Sequence, residues 1–130
     1  MQHASDEAAR RFELALRRLN MSVERAGAED RLIDYWIALE TLFVSDARGE
    51  IRYRARTRIS KYIGSSLAER RQIADSLGTS YTRRSEVVHG DRAKPDLGEL
   101  TDTTGEILRQ SLKTILVDGV APDVEALDLG

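Results

Sequence analysis

An arginine and a histidine near the middle of the chain form the pair best suited to chemistry. They lie in the segment Tyr-Thr-Arg-Arg-Ser-Glu-Val-Val-His-Gly at residues 81–90. His89 can take up and release a proton near neutral pH, and Arg84 carries a planar guanidinium that matches a phosphate. The pair suits metal-independent RNA cleavage, in which a ribose 2′-hydroxyl attacks the adjacent phosphate. His89 would transfer protons, and Arg84 would stabilise charge on the phosphoryl oxygens.

The spacing of apolar residues predicts that a helix over residues 67–88 carries this pair. Arg84 falls about 20° from Ile73, within the apolar face of that helix. An arginine there breaks the local pattern, and such violations tend to occur at functional sites. His89 would end the helix, where the helix dipole favours a protonated imidazole.

The five-residue spacing from Arg84 to His89 separates the two side chains on an ideal helix. Arg84 and His89 point about 140° apart, whereas Ser85 and His89 share a face. Either the helix unwinds near Gly90 and His89 turns back, or a two-fold dimer brings two Arg84–His89 pairs into one cleft. We favour the dimer, because one histidine could then act as base and the other as acid. In a purely structural interpretation, His89 is a helix cap and Arg84 an ion pair at the edge of the core.

Residues from other helices are expected to support this site. Glu40 lies four residues after Trp36, close to an apolar helix face. It is either a rim carboxylate in water or a partly buried acid that must be paired. We predict that Glu40 and Arg58 pair with Arg84 or with each other, surface ion pairing being the alternative. Tyr81 is either a core residue or a platform on which a base stacks.

The charge distribution points to an anionic partner. The chain has 20 Lys+Arg and 22 Asp+Glu, and a net charge of −2 ordinarily argues against a nucleic-acid binder. Residues 48–94, however, hold 12 basic and 5 acidic residues, and both flanks are acidic. We therefore expect RNA or a nucleotide as partner, with its backbone guided by Arg52, Arg54, Arg56 and Arg83. Pairing of these arginines with the acidic flanks is the alternative.

Several classes of site and location are excluded or disfavoured. The chain lacks cysteine, so it has no disulfide, zinc–thiolate site or cysteine nucleophile. This fits a reducing compartment, and we expect a cytoplasmic protein. No apolar run approaches the roughly 20 residues of a membrane span. No acid–histidine set has metal-ligand spacing and no glycine-rich phosphate loop occurs, so we expect neither a metal nor a cofactor.

Helical periodicity dominates the chain and predicts an all-α fold. Ser5 is expected to cap a first helix with Phe12, Leu16, Leu19 and Val23 on its buried face. Further helices are expected over 29–44, 51–63 and 67–88, with Gly64 as the C′ residue of the third and a Ser66–Glu69 capping box opening the fourth. A fifth helix is expected after Asp96, in a capping-box-like start with Glu99. Short loops favour an up-and-down bundle of about five helices over residues 1–117, followed by an acidic, aperiodic tail at 118–130.

Three stretches of the sequence resemble one known superfamily. Residues 31–43 (Arg-Leu-Ile-Asp-Tyr-Trp-Ile-Ala-Leu-Glu-Thr-Leu-Phe), 58–64 and 81–90 resemble HEPN domains, and among them the Apea-like group. The resemblance covers roughly residues 12–116. The family motif, an arginine followed by four to six residues and a histidine, falls on Arg84 and His89. Arg83 also fits the spacing, but Arg84 precedes Ser85, as in the Arg-Ser pattern of the family.

The resemblance implies a helical bundle that forms a homodimer, with the arginine and histidine at a shared cleft. Many members are metal-independent endoribonucleases of toxin–antitoxin or phage-defence systems. An antitoxin or a larger parent protein is then a further expected partner. Other members bind RNA or nucleotides without cleaving them, which gives a second hypothesis: a non-catalytic module that binds RNA, a nucleotide or a protein. A purely structural dimerisation domain is the third.

Overall fold

The computed structural model describes residues 2–129, with side chains from residue 6 onwards. These residues form six helices and no strand, which confirms the expected all-α bundle. The helices are α1 (Gln2–Val23), α2 (Ala28–Phe43), α3 (Ile51–Ile63), α4 (Leu67–Val88), α5 (Leu97–Asp118) and α6 (Val124–Leu129). None of the helices in this part of the chain is long and apolar enough to cross a membrane.

The junction between α3 and α4 follows its sequence signals closely. The Glu69 backbone N–H donates to the Ser66 hydroxyl at 3.1 Å, which is the predicted cap. Gly64, predicted as the C′ residue of α3, is its C-cap residue and has φ −84°. Glycine is needed there for close approach, because a Cβ would lie 2.5 Å from both the Ser60 carbonyl oxygen and the Arg70 Cγ. The turn is therefore tight for steric reasons and not because of a left-handed residue.

Two predicted helix caps are wrong. Helix α1 already begins at Gln2, so Ser5 does not cap it. Asp96 precedes α5, but its carboxylate makes no capping hydrogen bond. It accepts two hydrogen bonds from the Arg83 guanidinium instead, at 2.8 and 3.0 Å. A bidentate, charge-assisted pair outcompetes a single bond from a backbone N–H.

The buried face of α1 also differs from the expected one. Phe12 and Leu19 pack against the core as predicted. Val23, in contrast, is 75% exposed and Leu16 is 38% exposed. Ala15 and Ser22 are fully buried in their place. Because these side chains are small, α1 approaches the bundle closely. This close packing, and not the spacing of the large apolar residues, decides which face of α1 is buried.

A buried chain of hydrogen bonds joins α2, α4 and α5. The Trp36 indole N–H donates to the Ser80 hydroxyl at 2.9 Å, and the Ser80 and Thr104 hydroxyl oxygens lie 2.5 Å apart. Thr104 donates its only hydroxyl proton to the Leu100 carbonyl at 2.7 Å. Ser80 must therefore donate to Thr104 while it accepts from Trp36. The side-chain polar atoms of Trp36, Ser80 and Thr104 therefore all have hydrogen-bond partners, as burial requires.

The C-terminal segment, expected to be aperiodic, contains α6, which packs on α3. Arg58 of α3 holds it there, with a side chain only 1% exposed. Its Nε and Nη2 each donate to Asp128 at 2.9 Å, and Nη1 donates to Asp46 at 2.7 Å and to the Phe43 carbonyl at 2.8 Å. The expectation that Arg58 pairs with Arg84 or Glu40 is therefore wrong. Arg58 is a structural residue.

Replacing Ser80 tests the buried hydrogen-bond chain. We expect Ser80→Ala to lower the free energy of unfolding by about 1–3 kcal/mol, because the Trp36 indole N–H loses its buried acceptor. Thr79→Ala is the matched control, since Thr79 is an exposed hydroxyl residue of the same helix. Its effect should stay within about 0.5 kcal/mol. Denaturant titrations followed by Trp36 fluorescence measure the free energy of unfolding of both variants. Equal losses in Ser80→Ala and Thr79→Ala would contradict the proposed role of the buried hydrogen-bond chain.

Acidification tests the attachment of α6. Hydrogen bonds from Arg58 hold the pKa of Asp128 and of Asp46 below their usual values. The stability they contribute is present above about pH 4, the ordinary range of aspartate, and is lost as the pH falls through the lowered values. The free energy of unfolding should therefore fall more steeply below pH 4 in the wild type than in Asp128→Asn. Asp102→Asn, at an 81% exposed carboxylate, should keep the wild-type slope. Parallel slopes in all three proteins would contradict this account.

Candidate functional site

Arg84 lies on α4 between an aromatic ring and a carboxylate. Its guanidinium carbon is 5.3 Å from the centre of the Tyr81 ring, a cation–π contact. Tyr81 in turn packs edge-on against the buried Trp36, with ring centres 5.1 Å apart. Tyr81 is thus a core residue on one side and a platform for Arg84 on the other. Arg84 covers one face of the ring, so a nucleobase cannot stack on that face.

The expected ion pair between Glu40 and Arg84 is present, but it is loose. Arg84 Nη2 lies 3.9 Å from Glu40 Oε1, beyond hydrogen-bonding distance, and the side chains are 26% and 28% exposed. Burial raises the pKa of Glu40, and the positive charge of Arg84 opposes this only in part. No hydrogen bond to Arg84 occurs among the described residues. Its N–H groups therefore keep their capacity to bind an anion.

A shallow cavity of about 310 Å³ opens beside Glu40. It lies between α2 and the start of α3. Apart from Glu40, it is lined by small, apolar or hydroxyl-bearing side chains: Ile37, Thr41, Val44, Ser45, Ala47 and Ile51. A ligand group that contacts Arg84 therefore has an adjoining, largely apolar recess with one carboxylate at its edge.

His89 lies on a different side of α4 from Arg84. Its backbone N–H donates to the Ser85 carbonyl at 3.0 Å and its own φ is −81°, so the helical path continues through His89. The chain turns only at Gly90, with φ +79°. The alternative in which α4 unwinds and returns His89 to Arg84 is therefore wrong. The His89 side chain is exposed and shares its face with the partly buried Ser85.

Arg83 and Arg54, two of the arginines expected to guide RNA, are engaged by carboxylates. Arg83 binds Asp96, and this hydrogen bonding raises the pKa of Arg83 and lowers that of Asp96. Arg54 lies 3.7 Å from Glu50 and 3.9 Å from Asp128. Pairing of this kind neutralises positive charge locally. Arg83 is therefore the weaker candidate for the motif arginine, and Arg84 the stronger.

Arg52 and Arg56, the other two arginines expected to guide RNA, connect α3 to α4 by hydrogen bonds to backbone carbonyls. Arg52 Nε donates to Gly78 O at 3.0 Å, and Arg56 Nε donates to Ala74 O at 2.8 Å. Gly78 permits this approach, because a Cβ there would lie 2.7 Å from Arg52 Nη2. These bonds orient both side chains without removing their charge.

Comparison of the chain with protein-family models, with curated proteins and with solved structures gave no match. The resemblance to HEPN domains consequently rests on the segments at residues 31–43, 58–64 and 81–90.

Sequence reasoning missed one group of basic residues. It concentrated on the arginines of α3, whereas Arg70 and Arg71 in the first turns of α4 face Arg56 and Lys61 across a groove. The signal was the adjacent pair Arg70–Arg71 inside the basic segment. A helical pattern could not show that these residues lie opposite α3, because that depends on how the two helices pack.

Replacing Glu40 tests the electrostatics of the site. Because burial raises the pKa of Glu40, its contribution to stability is full below its ordinary value of 4.5 and is lost as the pH rises through the raised value. Glu40→Gln should therefore gain in stability relative to the wild type as the pH rises from 4 to 7. Glu106→Gln is the matched control, since Glu106 also lies 3.9 Å from an arginine but is 75% exposed. Urea unfolding across this range measures both. A constant difference between Glu40→Gln and the wild type would contradict the expected pH dependence.

Proposed function

We propose that the chain is a metal-independent endoribonuclease that acts as a two-fold dimer. The observation that carries this proposal is the state of Arg84. It is partly buried and positioned by Tyr81 and Glu40, yet its guanidinium has no hydrogen bond within the described chain. Such a group is ready to bind a phosphate, and a proton-transferring histidine follows on the same helix.

The reaction needs one base and one acid. The 2′-oxygen forms a bond to phosphorus, the bond from phosphorus to the 5′-oxygen breaks, and a 2′,3′-cyclic phosphate results. One His89 takes the 2′-hydroxyl proton, and the partner's His89 gives a proton to the leaving 5′-oxygen. Arg84 stabilises the negative charge on the phosphoryl oxygens. Two copies are required because Arg84 and His89 of one chain lie about 140° apart around α4.

The exposure of Val88 is an argument for the proposed contact between two chains at this end of α4. It follows Arg84 by one helical turn and is 56% exposed. A two-fold contact through α4 would bury both copies of this apolar side chain beside the two histidines. The proposal therefore links oligomeric state to activity.

Activity of single-residue variants tests the nuclease. Purified protein in EDTA should cut a labelled RNA and leave 2′,3′-cyclic phosphate ends. His89→Ala and Arg84→Ala should each lower the rate at least about 100-fold. His3→Ala, at the only other histidine, should keep wild-type activity. The nuclease proposal fails if the wild-type dimer does not cut RNA or if His89→Ala cuts it at the wild-type rate.

Disruption of the dimer tests the composite site. Val88→Glu should shift the protein toward monomer in sedimentation and lower cleavage in parallel. Val23→Glu places the same charge at an exposed position of α1 and should change neither. A monomeric Val88→Glu protein with full activity would contradict the shared cleft.

A non-catalytic module is the second candidate, and one observation favours it. The Arg84 guanidinium, which has no hydrogen bond within the described chain, and the cavity beside Glu40 lie together in a single chain, whereas His89 is not part of this arrangement. Such a module would bind RNA or a nucleotide through Arg84. Binding that survives His89→Ala and is lost in Arg84→Ala, with no cleavage by the wild type, would decide for this candidate.

A further inference from the structure

A second basic surface lies away from Arg84, in a groove of about 410 Å³ between α3 and the first half of α4. Four cationic side chains line it: Arg56, Lys61, Arg70 and Arg71. No carboxylate is among its described lining residues. Concentrated positive charge in a concave surface attracts a polyanion.

Backbone carbonyls hold three of these cations in place. Arg56 Nε donates to Ala74 O at 2.8 Å, and Arg70 Nε donates to Gly64 O at 2.9 Å. Lys61 Nζ donates to the carbonyl of α6 at position 127, also at 2.8 Å. A carbonyl orients the side chain but carries no charge, so the cation keeps its own. Among the described residues, Asp75 is the one carboxylate within 4 Å of any of these cations; it lies 3.6 Å from Arg56 and is 80% exposed, which makes this pair weak.

An aromatic residue stands in the same groove. Tyr53 lines it and is 66% exposed, which is unusual for a large ring without a structural duty. Cations that follow a phosphate backbone, combined with an exposed ring on which a base stacks, are the usual means of binding single-stranded nucleic acid. Paired bases are already stacked and would not use the ring.

The groove and His89 lie on one face of the same helix. Arg71 and His89 are 18 residues apart, which is five turns of an α-helix, so they share one angular position about 27 Å apart. Ser85 lies between them on this face, and α4 is regular throughout. A strand that entered at the groove would pass Arg52, which contacts Gly78, and would then follow α4 beyond the start of α3 for a further eleven residues to His89. At a stacked spacing of about 3.4 Å this path takes about eight nucleotides, and fewer in an extended strand.

We infer that the α3–α4 groove binds single-stranded RNA and that the bound strand runs along α4 toward His89. The inference rests on the proposed function for the choice of RNA as ligand. It assigns Arg71 and Tyr53 to binding, about five helical turns from the reacting phosphate. Neither residue is a catalytic residue.

Binding in a cleavage-deficient background tests the inference. His89→Ala protein is titrated into fluorescently labelled RNA oligomers of 4, 8 and 12 nucleotides and into a duplex of the same sequence, with anisotropy as readout. Added Tyr53→Ala should weaken binding of the 8-mer about tenfold, whereas Tyr53→Phe should bind like the parent, because the ring is kept. Added Arg71→Gln should weaken binding several-fold and reduce the salt slope of log K by about 0.7. Arg17→Gln on α1, at a 65% exposed arginine, is the control and should do neither.

The outcomes separate this inference from the nuclease proposal. Affinity that rises up to about eight nucleotides, exceeds that for the duplex and depends on Tyr53 and Arg71 supports the groove, even where the wild type cleaves nothing. Equal affinity for the duplex, or unchanged binding in Tyr53→Ala and Arg71→Gln, overturns it, even where the wild type is an active nuclease. Binding of an acidic peptide in place of RNA also overturns it. Circular dichroism and the Trp36 fluorescence of each variant confirm that the fold is intact.

Discussion

The hydrogen bond from the Trp36 indole to the Ser80 hydroxyl sets how α4 lies against α2, and the candidate site follows from that position. Both partners are buried, so the bond cannot be exchanged for water without cost. Tyr81 comes next in the chain and meets the edge of Trp36. One turn further along both helices, Glu40 meets Arg84. Two successive contacts between helices that run in the same direction thus place a guanidinium at the surface without binding it tightly.

The arginines of the chain divide according to what accepts their hydrogen bonds. Arg58 and Arg83 donate to carboxylates and hold loops and α6 in place. Arg52, Arg56 and Arg70 donate to backbone carbonyls between α3 and α4, and their charge is not neutralised by those contacts. The overall charge of −2 conceals this division. Part of the acidic flanks serves the structure, so a basic surface can persist on a slightly acidic protein.

Local signals predicted the parts of the fold that local energetics decide. The bounds of α3 and α4 agree with prediction because the Ser66 hydroxyl cap and the tight turn at Gly64 act within a few residues. Arg58 was misjudged because its carboxylate partners lie 12 and 70 positions away, beyond any helical pattern. Helix α6 was missed for the same reason, since six residues are too few to be stable without tertiary contacts. The pairing of Glu40 with Arg84 could be proposed from the sequence because both residues interrupt apolar faces.

The regularity of α4 explains why one chain presents two separate surfaces. A helix fixes the angle between any two of its residues, so a spacing of five directs Arg84 and His89 to different sides, and a spacing of eighteen aligns Arg71 with His89. Arg84 consequently faces α2, whereas His89 lies on the face of α4 that carries Arg71. In the proposed nuclease, a phosphate contacted by both residues would lie where two chains meet. The proposed groove would hold the RNA backbone leading to that phosphate within a single chain, so the two proposals, RNA binding and RNA cleavage, place different demands on the same helix.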